Sequence, residues 1–214
     1  MAIDRLALTQ AFICEAPLAS VRISQGFGED LLGGGKYQAV GLKAHNGWDC
    51  KAASGTEVFA PYHGKVAYTG YDKLAGNILF MRTEPESVAG MNVSIEFCFL
   101  HLQESLVKAG QEVTMGQKIA LTGATGEYCF GPHLHFGTRP LVNGDMVDTD
   151  NGYRGYVDPS IFIGARKIDT FPVDRQYGKK RSLFAERMFA WNISTRLAFK
   201  RSPSPREINA SVYG

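Results

Sequence analysis

Two histidines stand one residue apart in FGPHLHFG, residues 130–137, although the 214-residue chain holds only five. In a strand, residues i and i+2 project from the same face. His133 and His135 then share one surface, while Leu134 and Phe136 turn the other way into a core. Gly131-Pro132 suits the start of such a strand, because proline is tolerated at a first strand position and not inside a ladder. Two imidazoles on one face can ligate a metal or exchange protons. A plain pair of surface histidines on an edge strand is the alternative.

Further residues of the same chemical type are His45 and Asp49 in HNGWD and His101 in FLHL. An extended segment over 45–49 puts His45 and Asp49 on one face as well. Three nitrogen and oxygen ligands from two separate strands are what a catalytic zinc requires, with the fourth tetrahedral position left for water. Such an ion lowers the pKa of its water to about 7 and polarises a carbonyl. The chemistry then needs a proton acceptor and a partner for the oxyanion. Two further histidines remain for those tasks. His63, between Tyr62 and Gly64, reads as a turn residue. The cysteines at 14, 50, 98 and 129 form no CxxC pair and no zinc-finger spacing. They are expected as free, mostly buried thiols, which suits a reducing compartment.

The elements that must position these residues are short strands. VRISQGFG, GNILFMR and SIEFCFLHL are strand candidates. In the last, alternation places Ile95, Phe97, Phe99 and His101 on one face, with Glu96, Cys98, Leu100 and Leu102 on the other. EVFAPYHGKVAYTGY has two apolar runs around Pro61 and Gly64, which predicts a hairpin. Glycines 110, 116, 123 and 126 punctuate the following stretch, and no long window carries a 3.6-residue period. The expected fold is mainly β, a compact antiparallel sandwich or partly closed barrel. A polar stretch after Pro140 leads to a short closing segment at 160–163. The expected organisation is a lead segment over 1–19, a body over 20–163 and a C-terminal extension over 164–214.

Charge is divided along the chain. Residues 1–165 carry 12 Lys/Arg against 17 Asp/Glu, whereas 166–214 carry 11 against 4. The net +2 therefore hides an acidic body and a basic tail. Within that tail, FAWNISTRLAFK alternates and predicts a strand or hairpin, and RSPSPREINASVYG reads as a flexible end. No apolar run approaches the roughly 18 residues of a membrane span. The N-terminus, MAIDRLALTQAFICEAPLAS, makes a poor secretory signal: Arg5 sits beside Asp4, and Gln10 and Glu15 bracket a short apolar stretch. A lipoprotein reading fails at Ile13, where a small residue would precede Cys14. Synthesis in the cytoplasm without a signal peptide is the expectation.

The motifs occur together and in a fixed order: SQGFG, HNGWD as H-x-G-x-D, GTEVFAPYHGKV, FLHL, VKAGQEVTMGQKIALTGATG, GPHLHF as H-x-H, and GYVDPSIFI. H-x-G-x-D or H-x-H alone is a weak signal, whereas the joint set is specific. Over roughly residues 20–163 the chain resembles the lysostaphin/LytM-type zinc peptidoglycan endopeptidases. The resemblance implies the LytM-like β fold, with zinc held by His45, Asp49 and His135. It implies His101 and His133 as the uncoordinated catalytic pair, acting on peptide bonds in peptidoglycan cross-links or stem peptides.

Gly47 is expected to supply backbone torsions between the ligands. Tyr128 and Phe130 either line the substrate groove or pack in the core or at the rim. Three departures from the family pattern bear on groove shape and bond preference: EYCF between Gly126 and Gly131, Gly137 after H-x-H-F, and the longer connection EPESVAGMN. The basic tail has no counterpart in the family. It is expected to attract anionic wall polymers, with nucleic acid ranking lower because no base-reading motif accompanies the charge. A wall hydrolase made without a signal fits a phage endolysin, a virion-associated enzyme or unconventional export. A catalytically silent wall-binding or hydrolase-activating module is disfavoured, because all five functional positions are present. A lipoyl- or biotinyl-type carrier fails, because the hairpin tip Val113-Thr114-Met115 lacks a lysine.

Overall fold

The computed structural model describes residues 5–163. The basic extension, its alternating stretch and its final residues lie outside the described residues. A helix, α1 (Arg5–Ala11), precedes the strands, and α2 (Lys36–Ala39) interrupts them. Along the chain come β1 (Ile23–Gln25), β2 (Trp48–Lys51), β3 (Glu57–Phe59), β4 (Gly64–Asp72), β5 (Gly76–Thr83) and β6 (Glu86–Val88). There follow β7 (Met91–Leu102), β8 (Glu104–Ser105), β9 (Glu112–Val113), β10 (Lys118–Leu121), β11 (His133–Val142) and β12 (Asp145–Met146). The large sheet runs β1-β2-β11-β7-β5-β4-β9, with β12 against β11 and β6 against β7. A small sheet, β3-β10-β8, stands apart from it. Neighbouring strands pair antiparallel, and the large sheet stays open at β1 and β9. The fold is thus mainly β and antiparallel, without closure into a barrel.

The centre of the large sheet is buried on both faces, so its sequence is apolar almost throughout. Phe97 and Phe99 of β7 join Leu79, Met81 and Phe136 in the main core. The Phe97 and Phe136 rings stack with centroids 5.9 Å apart. On the opposite face Ile78, Phe80, Cys98 and Leu100 form a smaller cluster with Tyr156. Gly137 makes room there: a Cβ at that position would meet the Tyr156 ring at 2.9 Å. Glu96 is fully buried beside this cluster, and its neighbours in the ladder supply the compensating charge. It accepts hydrogen bonds from Arg82 Nε at 2.7 Å and Arg139 Nε at 2.6 Å. Burial alone would raise its pKa, but the two guanidinium groups hold it below the usual value.

The lead segment belongs to the same core. Leu8, Phe12, Cys14 and Leu18 are packed into it, and Cys14 N–H donates to Phe162 O at 3.1 Å beside a bridge to Ile163. All four cysteines are free; Cys14, Cys50 and Cys98 are buried, and Cys129 is partly exposed. Among the described residues no helix is long and apolar enough to cross a membrane.

Two expectations are corrected. The runs around Pro61 do not form a hairpin: β3 pairs with β10 in the small sheet, and β4 pairs with β5 and β9 in the large one. The intervening residues 60–63 carry the chain from one sheet to the other. The strict alternation of β7 also ends before His101. Leu102, expected beside Leu100, instead joins Phe97 and Phe99 in the main core. Asn77 pairs with Leu102 and Leu79 with Phe99, so β7 sets three steps against two of β5. That extra residue is a β-bulge, a device that re-aims a side chain.

Candidate metal centre

The paired strands β2 and β11 build the floor of the site. Asp49 lies directly opposite His135 in their ladder, and Cys50 opposite Leu134. Leu134 and Phe136 point into the core, so His133 and His135 are left on the other face. His45 comes from the loop before β2. Its Nδ1–H donates to Gly26 O at 3.1 Å, which fixes the tautomer and leaves Nε2 facing the site.

Three donor atoms meet there. His45 Nε2 is 3.0 Å from Asp49 Oδ1 and 2.9 Å from His135 Nδ1, and the latter two are 3.1 Å apart. Donors on a tetrahedral zinc at about 2.0–2.1 Å are separated by about 3.3 Å. The triangle therefore has nearly the size that such an ion demands. The chemistry of the donors agrees. Lone pairs on His45 Nε2, Asp49 Oδ1 and His135 Nδ1 cannot face one another at 3 Å without a proton or a cation between them. With Nδ1 as a ligand, the His135 proton sits on Nε2, which is buried and has no hydrogen-bond partner. Burial opposes the Asp49 charge, but hydrogen bonds and attraction from His135 and His45 outweigh it and hold the carboxyl well below its ordinary pKa. Burial, together with the neighbouring His45, pushes His135 towards its neutral form, the one that can ligate. His45, Asp49 and His135 thus fit a divalent cation.

Two further imidazoles border the triangle. His101 adopts φ 61°, a left-handed conformation that histidine enters more readily than most residues. That turn, with the bulge, takes its ring off the core face and into the cleft. Its Nδ1–H donates to Thr125 O at 3.0 Å. Burial, reinforced by His135 and His133, lowers its pKa to about 3. His133 holds Gly131 O at 2.8 Å through Nδ1, and its Nε2 lies 3.5 Å from Asp49 Oδ1. Burial opposes its charged form, but Cys129, Asp49 and Gly131 O outweigh that and raise its pKa to about 9. The His101 and His133 ring centroids are 4.8 Å apart. A cation at the triangle adds positive charge beside both rings and moves both pKa values down. His63 lies away from this cluster, in an exposed bend, and accepts a bond from Met115 N–H.

Gly47 acts through closeness and not through torsion, since its φ is not in the left-handed region. A Cβ there would stand 2.5 Å from Phe136 O and 2.9 Å from His135 Nε2. The carbonyl belongs to β11 and cannot yield without moving His135. Gly47→Ala should therefore cost about 1–3 kcal/mol of stability and lower metal content. Thermal unfolding and metal analysis check this, and an unchanged result in both would refute the close-approach account.

The site opens into a cavity of about 300 Å³. Tyr128 and Phe130 line it, together with residues that were given no role from sequence, Gln25 and Tyr37 among them. Gln25 Nε2 donates to the Tyr37 hydroxyl at 2.7 Å, and that hydroxyl is held neutral by burial and by the nearby Asp49 charge. Gln25 lies within SQGFG and was legible as part of a motif. Tyr37 follows a run of glycines and carried no signal.

Residues 43–149 match peptidase family M23, which is half of the chain. The peptidoglycan DD-endopeptidase ShyC of Vibrio cholerae serotype O1 is 36% identical over 139 residues, 64% of this chain and 28% of that protein. ShyB of the same organism, also a peptidoglycan DD-endopeptidase, is 44% identical over 104 residues, 49% of this chain and 22% of its own. The chain thus spans less than a third of the length of these relatives. Among solved structures, the catalytic domain of the antimicrobial peptidase lysostaphin from Staphylococcus simulans aligns with a TM-score of 0.50 at 28% identity. That alignment covers 65% of this chain and 89% of the lysostaphin domain. Family match and fold agree, and the chain belongs to peptidase family M23.

Proposed function

We propose that this chain is a zinc-dependent endopeptidase that cleaves peptide bonds in bacterial peptidoglycan, in its cross-links or stem peptides. The observation that carries the reading is the triangle of His45, Asp49 and His135 donors, 2.9–3.1 Å apart, with two imidazoles at its edge. When bound, zinc would polarise the scissile carbonyl and bring the pKa of a water to about 7. His101 is suited to accept a proton at Nε2, because Nδ1 keeps its own proton in the bond to Thr125 O. His133 favours its protonated form and so is suited to stabilise the developing oxyanion. Gln25 and Tyr37 offer polar contacts to a peptide lying in the cavity.

The similarity to the two Vibrio DD-endopeptidases supports the choice of substrate. The basic residues of 166–214 would add attraction to anionic wall polymers that weakens as salt rises. Action on the wall from a cytoplasmic site of synthesis, as in phage lysis, is part of the same proposal. The test is digestion of several peptidoglycan chemotypes by zinc-loaded protein, followed by mass spectrometry. New amine and carboxyl termini should appear at one type of peptide bond. Intact peptides in every chemotype would overturn the reading.

A further inference from the structure

Cys129 differs from the other three thiols in place and company. It lies in the EYCF stretch beside the cleft and is partly exposed, whereas Cys14, Cys50 and Cys98 are buried. Its Sγ is 3.6 Å from His133 Nδ1 and 3.1 Å from Gly131 O. Donor atoms of His101, Cys129 and His133 all lie within 4.8 Å of one another. Among the described residues, only this group and the His45–Asp49–His135 group gather three such donors.

We propose that His101, Cys129 and His133 form a second site, for a thiophilic divalent cation such as zinc, whose filling occupies the His101 nitrogen that would accept the proton. The inhibitory half rests on the role assigned to His101 in the proposed function. The metal-binding half stands without it.

One sulfur and two imidazole nitrogens form a common ligand set for zinc. A sulfur at about 2.3 Å and a nitrogen at about 2.0 Å on a tetrahedral ion are about 3.5 Å apart. The 3.6 Å between Cys129 Sγ and His133 Nδ1 already matches that separation. The His101 donor, within 4.8 Å of the other two, completes the set when it stands about 3.3–3.5 Å from them. A metal–sulfur bond forms as the thiol proton leaves to solvent. A metal–nitrogen bond replaces the 2.8 Å hydrogen bond from His133 Nδ1 to Gly131 O. The Nδ1 proton leaves to solvent as well, and His133 keeps its other proton on Nε2, towards Asp49 Oδ1 at 3.5 Å. Two cations this close repel, and the charges of the thiolate and of Asp49 offset only part of that. The second ion should therefore bind more weakly than the first and appear at metal excess.

Cobalt(II) chloride titrated into metal-free full chain, with a non-thiol reductant, separates the two sites. The first site offers no sulfur, so the first equivalent should give weak visible bands alone. The second should add an intense thiolate-to-cobalt charge-transfer band in the near ultraviolet, and Cys129→Ser should abolish that band. With zinc, a second equivalent should slow hydrolysis on the order of tenfold or more, since it occupies the general base. Cys129→Ser should keep its one-metal rate. Absence of the band in the parent, or its persistence in Cys129→Ser, overturns the site. A Cys129-dependent band with an unchanged rate overturns the inhibitory half. The same band in a protein that cleaves nothing with one equivalent supports the site and overturns the hydrolytic reading.

Discussion

His135→Ala is expected to reduce zinc from one ion per chain to almost none and to abolish hydrolysis. Three donors converge within 2.9–3.1 Å, and removing one leaves two, a set that cannot fix a tetrahedral ion against water. Asp49→Ala should do the same for an added reason: it also removes the only anion among the three donors. Removing His135 further uncovers the room above Gly47, so a fall in stability could be mistaken for a local effect. Asp49→Asn keeps the shape and serves as the second variant. Metal analysis after gel filtration checks the stoichiometry, and thermal unfolding of the metal-free forms reports the fold. Stoichiometric zinc in folded His135→Ala would show that the ligands are assigned wrongly. Affinity should also fall in acid, because ligation needs neutral imidazole. His135, shifted towards its neutral form by burial, yields to protons at lower pH than an ordinary histidine.

The second large effect separates chemistry from metal binding. His101→Ala and His133→Ala should keep one zinc and lose activity by about 10²–10⁴-fold, the range of a general acid or base. Because His101 sits at φ 61°, alanine there adds backbone strain, and His101→Asn is the better-tolerated control. The pH profile distinguishes the roles. His101 has a lowered pKa and must be neutral to accept a proton, so the rate rises with pH through that value. His133 has a raised pKa, about 9 before any cation is added, and must be protonated, so the rate falls as pH climbs through it. With zinc bound the alkaline limb should lie below pH 9, since the ion disfavours a charged neighbour. Loss of that limb in His133→Asn is expected. Its retention there, with loss of the acid limb, would reverse the two roles.

Much of this site was legible as pattern. PHLH needs only the period of a strand to put two histidines on one face and Leu134 and Phe136 in the core. Turn glycines and the absence of helical periodicity were enough for an antiparallel β body, because both are local properties of the chain. The five candidate positions came through motif resemblance, and the basic tail through a count of charges.

Long-range pairing decided the rest. Alternation predicted His101 among the core phenylalanines, and a bulge opposite Asn77–Leu79 turned it into the cleft. No local sequence rule announces a bulge, since the extra residue is defined by its partner strand. The same holds for β3, which left the predicted hairpin for β10, and for Gly47, whose missing side chain matters only because Phe136 O lies against it. Which ring nitrogen faces the triangle was settled by bonds to distant carbonyls, Gly26 O for His45 and Thr125 O for His101. Glu96 shows the limit most plainly: in sequence it is one polar residue in an apolar strand, and only the ladder supplies Arg82 and Arg139 on either side. Sequence determines which groups are available and, where the ladder is regular, on which face of their own strand they stand. Tertiary structure determines which of them meet, because Asp49 and His135, donors 86 residues apart, are brought to 3.1 Å by the register of β2 and β11.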